Sequence, residues 1–418
     1  MKDKIITVVL SIIIFLVPIL IIPNNEQYYN FARYILLLIC GFILLIMFLL
    51  NIKKLKSKFH SEDALILIFI ILAMLSTIFS LNIKSSIFGV NNRYEGILTI
   101  ITYGLIYYNA KYYFRLNKKI LNLGLIVYSI IFIIAIIQFY MPSKVYILPI
   151  FGKGAHGTLG NTNFMGSFVS LTLPAFIFGY IFTGKWKYYL TSLLAFSVMW
   201  MCIARSSWVA FAVYALIAII YLILKKDKTY YKRFFILLIS FIICFSVITV
   251  IKKGTSQIIR KVNVVTSEIK KANSTGVSKE MGSGRIHIWT MTLKLIQEKP
   301  ILGCGVDSLL DGLIQAAPSE LIEFMQKYNG KVDKAHNEYL QIAATMGIPA
   351  LTVYLLFVIS IISSKVKDIL KSKKNMLFFL IIVSYLVQAF FNISVIAVAP
   401  IYWFVLGLCQ NKETDIIE

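Results

Sequence analysis

The chain has 418 residues, a mean hydropathy of +0.80, 59% of its residues in the apolar class and only 15% charged. A soluble domain holds about 45–50% apolar residues, so this composition excludes a soluble globular enzyme, a disordered chain and a disulfide scaffold. The formal charge of +23 would suggest nucleic acid in a soluble protein, but in a chain this apolar it reads as basic loops that fix membrane topology, and no basic-aromatic nucleic-acid module accompanies it.

Apolar runs fall at 5–22, 31–50, 64–81, 97–110, 120–140, 164–182, 189–204, 207–224, 234–251, 339–362, 376–392 and 394–410. At ~20 residues per span they predict an all-α polytopic membrane protein of about twelve transmembrane helices. The alternating ten-residue segments of a barrel are absent. The first run follows Lys2 and Lys4 as a signal peptide would. It lacks a small-residue cleavage site and more spans follow, so it counts as the first span.

With the N-terminus inside, alternation gives the inside segments 23 lysines and arginines. The short outside loops hold only Lys84, Arg93, Lys144, Lys153 and Arg205. Both termini are therefore expected to be cytoplasmic. Tyr28–Tyr29, Tyr107–Tyr108, Tyr112–Tyr113, Tyr188–Tyr189 and Tyr230–Tyr231 mark the interfaces as an aromatic belt would.

The organisation that follows is 1–251 with nine helices, an extracytoplasmic loop over 252–338, and 339–418 with the last three helices and a cytoplasmic C-terminus. A loop this long is usually functional. Its Lys-, Ser- and Gly-rich first part, 252–284, reads as mobile, with Arg260 solvated. Ile288, Leu293 and Ile296 predict an amphipathic helix from Arg285 to Lys299, stopped by Pro300. A second is predicted over 319–329, with Ser319 as N-cap, Leu321, Phe324, Met325 and Tyr328 on one face, and Gly330 as the C′ glycine. Both are expected to lie on the membrane.

Neither cysteine nor histidine spacing suggests a metal or a disulfide framework. Asp307 and Asp311 share a predicted helical face, but two carboxylates make a poor cation cage. Arginine is scarce, seven against 35 lysines. An Arg on the outside therefore points to the guanidinium fork, which grips phosphate oxygens bidentately. Arg205, in a tight turn between two apolar runs, is either an interfacial anchor or a ligand of a polar cavity. His336, at the start of the tenth run, is either a helix-start residue or a base for a hydroxyl. Gly157–Phe164, which holds Asn161 and Asn163, is either a helix cap or a cradle for sugar or phosphate. Arg93, Asn161 and Asn163, Arg205, Arg285 and His336 come from five segments, yet topology puts them all on one side of the membrane. That coincidence argues for a site.

The ordered set of motifs resembles the O-antigen ligase family, with its related O-antigen polymerases and O-linking oligosaccharyltransferases. The motifs are Gly-Asn-x-Asn-Phe at Gly160–Phe164, Arg205–Ser206, Gly-Arg-x-x-x-Trp at Gly284–Trp289, Lys-Pro-Ile-Leu-Gly-x-Gly at Lys299–Gly305, and His-Asn-Glu-Tyr-Leu-Gln running to Gly-Ile-Pro at His336–Pro349. Phe88–Gly89 and Arg93–Gly96 look like the family's first outside loop.

The resemblance implies a GT-C-like membrane glycosyltransferase of the bacterial cytoplasmic membrane, its active site facing outside. The donor would be a glycan on a polyprenyl (undecaprenyl) diphosphate, and the acceptor a hydroxyl on a glycan, lipid or protein. Transfer would invert the anomeric centre and need neither metal nor cofactor. By the same resemblance Arg205 and Arg285 would hold the diphosphate and His336 would activate the acceptor. Arg93, Asn161, Asn163, Trp289 and Asn337 would contact substrate. Ligase and polymerase stay open at this stage. The alternative is a lipid-linked glycan flippase, which would carry ionisable residues inside its spans.

Overall fold

The computed structural model describes residues 2–22, 29–55, 59–141, 154–250, 252–275 and 278–412. Tyr28, Lys56, Lys58, Lys144 and Lys153 lie outside the described residues. In chain order the helices are α1 (Lys2–Leu16), α2 (Phe31–Leu55), α3 (Ser61–Ile78), α4 (Ile83–Phe88), α5 (Ile97–Tyr113), α6 (Lys118–Tyr140), α7 (Thr162–Thr183), α8 (Trp186–Met201), α9 (Arg205–Lys225), α10 (Lys228–Val250), α11 (Lys252–Thr275), α12 (Arg285–Glu298), α13 (Leu309–Ala316), α14 (Pro318–Tyr328), α15 (Glu338–Met346), α16 (Ile348–Val366), α17 (Lys373–Ala389) and α18 (Ala399–Gln410).

Seven of these, α2, α3, α6, α7, α9, α10 and α16, are long and apolar enough to cross a membrane. The protein is therefore all-α and multi-pass. The remaining predicted spans coincide with α1, α5, α8, α17 and α18, helices of 12–17 residues. Twelve full-length spans are thus not what the helices give.

At the centre lies α7, most of whose side chains are buried. It packs against α8, α9 and α17, while α5 packs against α2, α3 and α18. A polar ladder ties α7 to α17. The Ser384 hydroxyl donates to the Ser170 carbonyl at 2.6 Å, and the Gln388 amide donates to Ser167 Oγ at 2.6 Å. Such bonds hold apolar helices in register where hydrophobicity cannot.

Four sequence expectations change. The tenth run, 339–362, is two helices, α15 and α16, parted at Gly347 (φ 90°). The 300–305 turn docks against this break, and a Cβ at Gly347 would lie 1.9 Å from the Ile301 carbonyl oxygen. The stretch 252–275, read as mobile, is the helix α11, although Arg260 is exposed as expected. The second loop helix starts at Pro318 with Ala317 as N-cap, and Asn329 (φ 47°), not Gly330, takes the left-handed position. Lys111, counted as a loop charge, is buried in the last turn of α5 and pairs with the buried Asp63 at 2.7 Å.

The helices after α11 also build a core of their own. Met291 and Leu295 from α12, Leu309 and Leu313 from α13, Leu321 and Phe324 from α14, and Ala343 and Ala344 from α15 close on one another. The apolar faces that predicted membrane-surface helices are largely spent on this core.

Candidate active site

Among the described residues, five of the eight non-glycine residues with positive φ sit at or within two positions of a candidate residue: Asn92 and Tyr94 around Arg93, Ile203 before Arg205, Ser283 before Arg285, and His336 itself at φ 50°. Such conformations cost on the order of 1 kcal/mol each and collect where a site over-determines the backbone.

The centre of the site is cationic. Arg205 opens α9 after the turn at 202–204. Its guanidinium donates to Glu268 Oε2 on α11 at 2.8 Å and to Ser283 Oγ at 2.8 Å. Arg285 opens α12 behind Gly284 (φ 82°), where a Cβ would press on Tyr328 and Phe324. Among the described residues Arg285 has no hydrogen-bond or ion-pair partner. Burial, and then Arg205, push its guanidinium down to about 10. Lys261 on α11 is lowered too, by burial first and then by Arg205, Arg260 and Arg285. Cations that weaken one another's charge are held together at a cost, and an anion relieves it.

His336 faces this cluster. Burial, followed by Arg285 and Arg93, pushes its imidazole down to about 4. It is therefore uncharged at neutral pH and able to accept a proton. Its Nδ1 is buried without a partner. The neighbours of His336 are fixed from several directions. The Trp289 indole N–H donates to the Ala335 carbonyl at 3.0 Å, and the Ala335 N–H donates to Gln341 Oε1 at 2.8 Å. Asn337 Oδ1 accepts from the Tyr339 and Leu340 amides, each at 3.0 Å, and so caps α15.

Below the imidazole lies a buried ion network that joins three distant segments. Lys334 pairs with Glu95 at 3.1 Å and with Asp307 at 2.6 Å. The Val90 amide donates to Asp307 Oδ2 at 2.7 Å. Arg93 pairs with Asp333 at 2.7 Å and stands over the Phe164 ring at 5.6 Å. Burial alone would raise the Asp333 carboxyl, but Arg93, helped by Lys334 and His336, holds it low. Glu338, hydrogen-bonded by the Tyr385 hydroxyl at 3.1 Å, is pushed up to about 7 by burial and then by Glu95.

The structure thus brings Arg93, Arg205, Arg285 and His336 to one end of the bundle. Asn161 caps α7, accepting from the Asn163 amide at 2.8 Å, and Phe164 of the same turn lies under Arg93. The Trp289 indole N–H and Asn337 Oδ1 are committed to the backbone around His336. Sequence reasoning missed Lys261, Lys334, Glu95, Asp333 and Glu338, and it passed over Arg33. The buried Arg33 guanidinium donates to the carbonyls of Val17 and Thr158 and to Asn30 Oδ1, pinning the turn before α7. Asp307 and Asp311 do not share a helical face, because Asp307 lies in the turn before α13. Among the described residues no group of three or more His, Cys, Asp or Glu is placed to hold a metal ion.

A multi-pass helical protein that gathers cations beside an uncharged imidazole at one end offers a place for an anionic group beside a base. Residues 190–355 match the family model described as O-antigen ligase. The chain is thus an enzyme of membrane glycan transfer in polysaccharide biosynthesis, as its motifs led one to expect. The matched span takes in Arg205, Arg285, Trp289, His336 and Asn337. No curated protein matches the chain.

Proposed function

We propose that the chain moves a glycan from a polyprenyl diphosphate to an acceptor hydroxyl on the outer face of the bacterial cytoplasmic membrane. The observation that carries this is Arg285, a partly buried guanidinium without a partner among the described residues, acting on an uncharged His336. His336 takes the proton of the acceptor hydroxyl. The freed oxygen attacks the anomeric carbon opposite the carbon–oxygen bond to the diphosphate, that bond breaks, and the electron pair leaves with the diphosphate. Fixed cations stabilise charge as it develops on a leaving group, which is the role of Arg285, Arg205 and Lys261. The anionic donor also offsets the cations that depress His336, so the imidazole becomes a stronger base once the donor is bound.

In this reading both termini are cytoplasmic, the short helices complete a twelve-helix bundle, and arginine does the work a divalent ion does in other transferases. General-base loss costs about 10²–10⁴-fold. His336→Ala is expected to insert, to bind donor, and to accumulate lipid-linked glycan in cells, while the purified wild-type enzyme keeps working in excess EDTA. Wild-type turnover by His336→Ala would remove the histidine from catalysis. Activity lost in EDTA and restored by magnesium or manganese would refute the metal-free step.

A further inference from the structure

At the end of the bundle opposite the arginines, the helices enclose a second feature. A cavity of about 180 Å³ lies between α1, α6, α7, α17 and α18, walled by Phe15, Ile120, Phe176, Phe378 and Leu408 among others. The Tyr128, Thr172 and Thr183 hydroxyls on its wall donate to the carbonyls of Ile14, Phe168 and Gly179 at 3.0, 2.8 and 2.6 Å. They offer little to water, and a dry apolar cavity of ~150 Å³ already accepts a hydrocarbon the size of benzene. Beside it, a groove of about 850 Å³ runs between α1 and α6, and Phe15 and Ile120 line both spaces. Two apolar slots share one wall.

The rim of these slots is basic. Leu116 and Ile120, which flank Lys118, and Thr183 and Tyr188, which flank Lys185 and Lys187, line the cavity. Lys187 Nζ donates to Asn122 Oδ1 at 2.6 Å. Asn122 is one helical turn from Lys118, so both lysines share a face of α6. Lys187 precedes the apolar run 189–204. Burial, then Lys185 and Lys118, hold its ammonium below the ordinary lysine value. All three lysines are exposed. Lys4, Arg115 and Lys119 border the groove, and the one carboxylate there, Asp3, pairs with Arg115 at 3.4 Å. Basic pockets between membrane helices suit anionic lipid headgroups.

We propose that this end of the protein binds one anionic diacyl phospholipid of the cytoplasmic leaflet, its phosphate on Lys118, Lys185 and Lys187, a segment of one acyl chain in the cavity and the other chain in the groove. The polyprenyl carrier is the other candidate occupant, but its diphosphate belongs with the arginines at the opposite end. The lipid would brace α1, α6 and α7, the last of which carries Asn161 at its far end.

The test is native mass spectrometry of the delipidated full chain, titrated with dioleoyl phosphatidylglycerol or with phosphatidylcholine of the same chains. A basic residue near an anionic surface contributes roughly fivefold to binding. Phosphatidylglycerol should bind at least ~10-fold tighter than phosphatidylcholine, and Lys118→Ala/Lys185→Ala/Lys187→Ala should bring the two level. Ala175→Phe, which fills the cavity, should weaken both lipids, with Ala175→Leu as the milder filling if the larger one misfolds. Equal affinity for the two lipids in the wild type would overturn the proposal. So would phosphatidylglycerol binding that the lysine variant leaves unchanged, or one-for-one displacement by undecaprenyl phosphate.

Discussion

Lys334→Met tests whether the ion network holds the site together. Lys334, Glu95 and Asp307 are each less than 10% exposed, and the ammonium lies 3.1 and 2.6 Å from the two carboxylates. Methionine keeps the length and apolar bulk but leaves two carboxylates buried without their cation, with Glu338 nearby. Removing one partner of a buried pair costs about 3–5 kcal/mol. The sign of the pH dependence follows from where the carboxyls titrate. Burial already raises the Asp307 carboxyl, and without the Lys334 ammonium that opposes it the carboxyl rises further above its unfolded value, near 4. The variant's stability is then fully present below the unfolded value and lost as pH rises through the folded one. The deficit should be largest at pH 8 and shrink toward pH 5. Purified protein followed by thermal loss of the monodisperse fraction should show an apparent Tm lower by at least ~5 °C at pH 8. Glu95→Gln/Lys334→Met/Asp307→Asn, which removes all three charges, should recover most of that loss. A Lys334→Met protein as stable as wild type at pH 8, or a deficit that does not shrink in acid, would refute the reasoning.

Arg285→Ala should lower kcat at least ~10²-fold, and Arg285→Lys should also be impaired because the fork is lost. In the alanine variant the acid limb of kcat/KM, where His336 gains its proton as pH falls, should move to higher pH, since Arg285 follows burial among the causes that hold the imidazole near 4; an unmoved limb would separate the two residues. Glu268→Gln frees Arg205 from its ion pair and should lower the donor KM several-fold with little change in kcat, whereas an unchanged KM would show that donor binding does not displace Glu268. For topology, Lys271→Cys should react with an impermeant thiol reagent in intact cells and Lys371→Cys should not, each in a background with native cysteines removed; the reverse pattern would invert the orientation.

The twelve apolar runs were legible because periodicity and hydropathy are local, and each run meets a helix. The candidate arginines and His336 were legible through parity, since topology alone puts distant segments on one face. What stayed hidden is long-range or context-dependent. Lys334 meets Glu95 across 239 positions, and nothing in either neighbourhood announces the pair. Lys111 and Asp63 sit at the ends of apolar runs, where a charge count assigns them to loops. The break at Gly347 lies inside a continuous apolar run, and only the docked 300–305 turn explains it. In α11 the Lys-, Ser- and Gly-rich composition, with its weak helix formers, masks the helical spacing of Ile258, Val262, Val265 and Ile269. The Arg205–Glu268 pair shows what that helix packs toward.

The arginines at the site end differ in how far the fold already satisfies them, and that difference ranks their roles. Arg33 is fully buried and each of its three guanidinium nitrogens already has an acceptor, two carbonyls and one amide oxygen, which makes it a structural residue. Arg93 is tied to Asp333 and stands over Phe164, which suits holding the first outside loop in position. Arg205 is shared between Glu268 and Ser283, contacts that an anionic oxygen can replace. Arg285 alone among these four lacks a partner among the described residues, in surroundings that disfavour its charge. Arg285 is half-buried, so water still reaches it, but burial and the neighbouring Arg205 disfavour its charge. A fold that retains such a group beside an uncharged imidazole is most stable with an anion bound there. Of the four, Arg285 is therefore the one placed to meet the negative charge of the proposed leaving group.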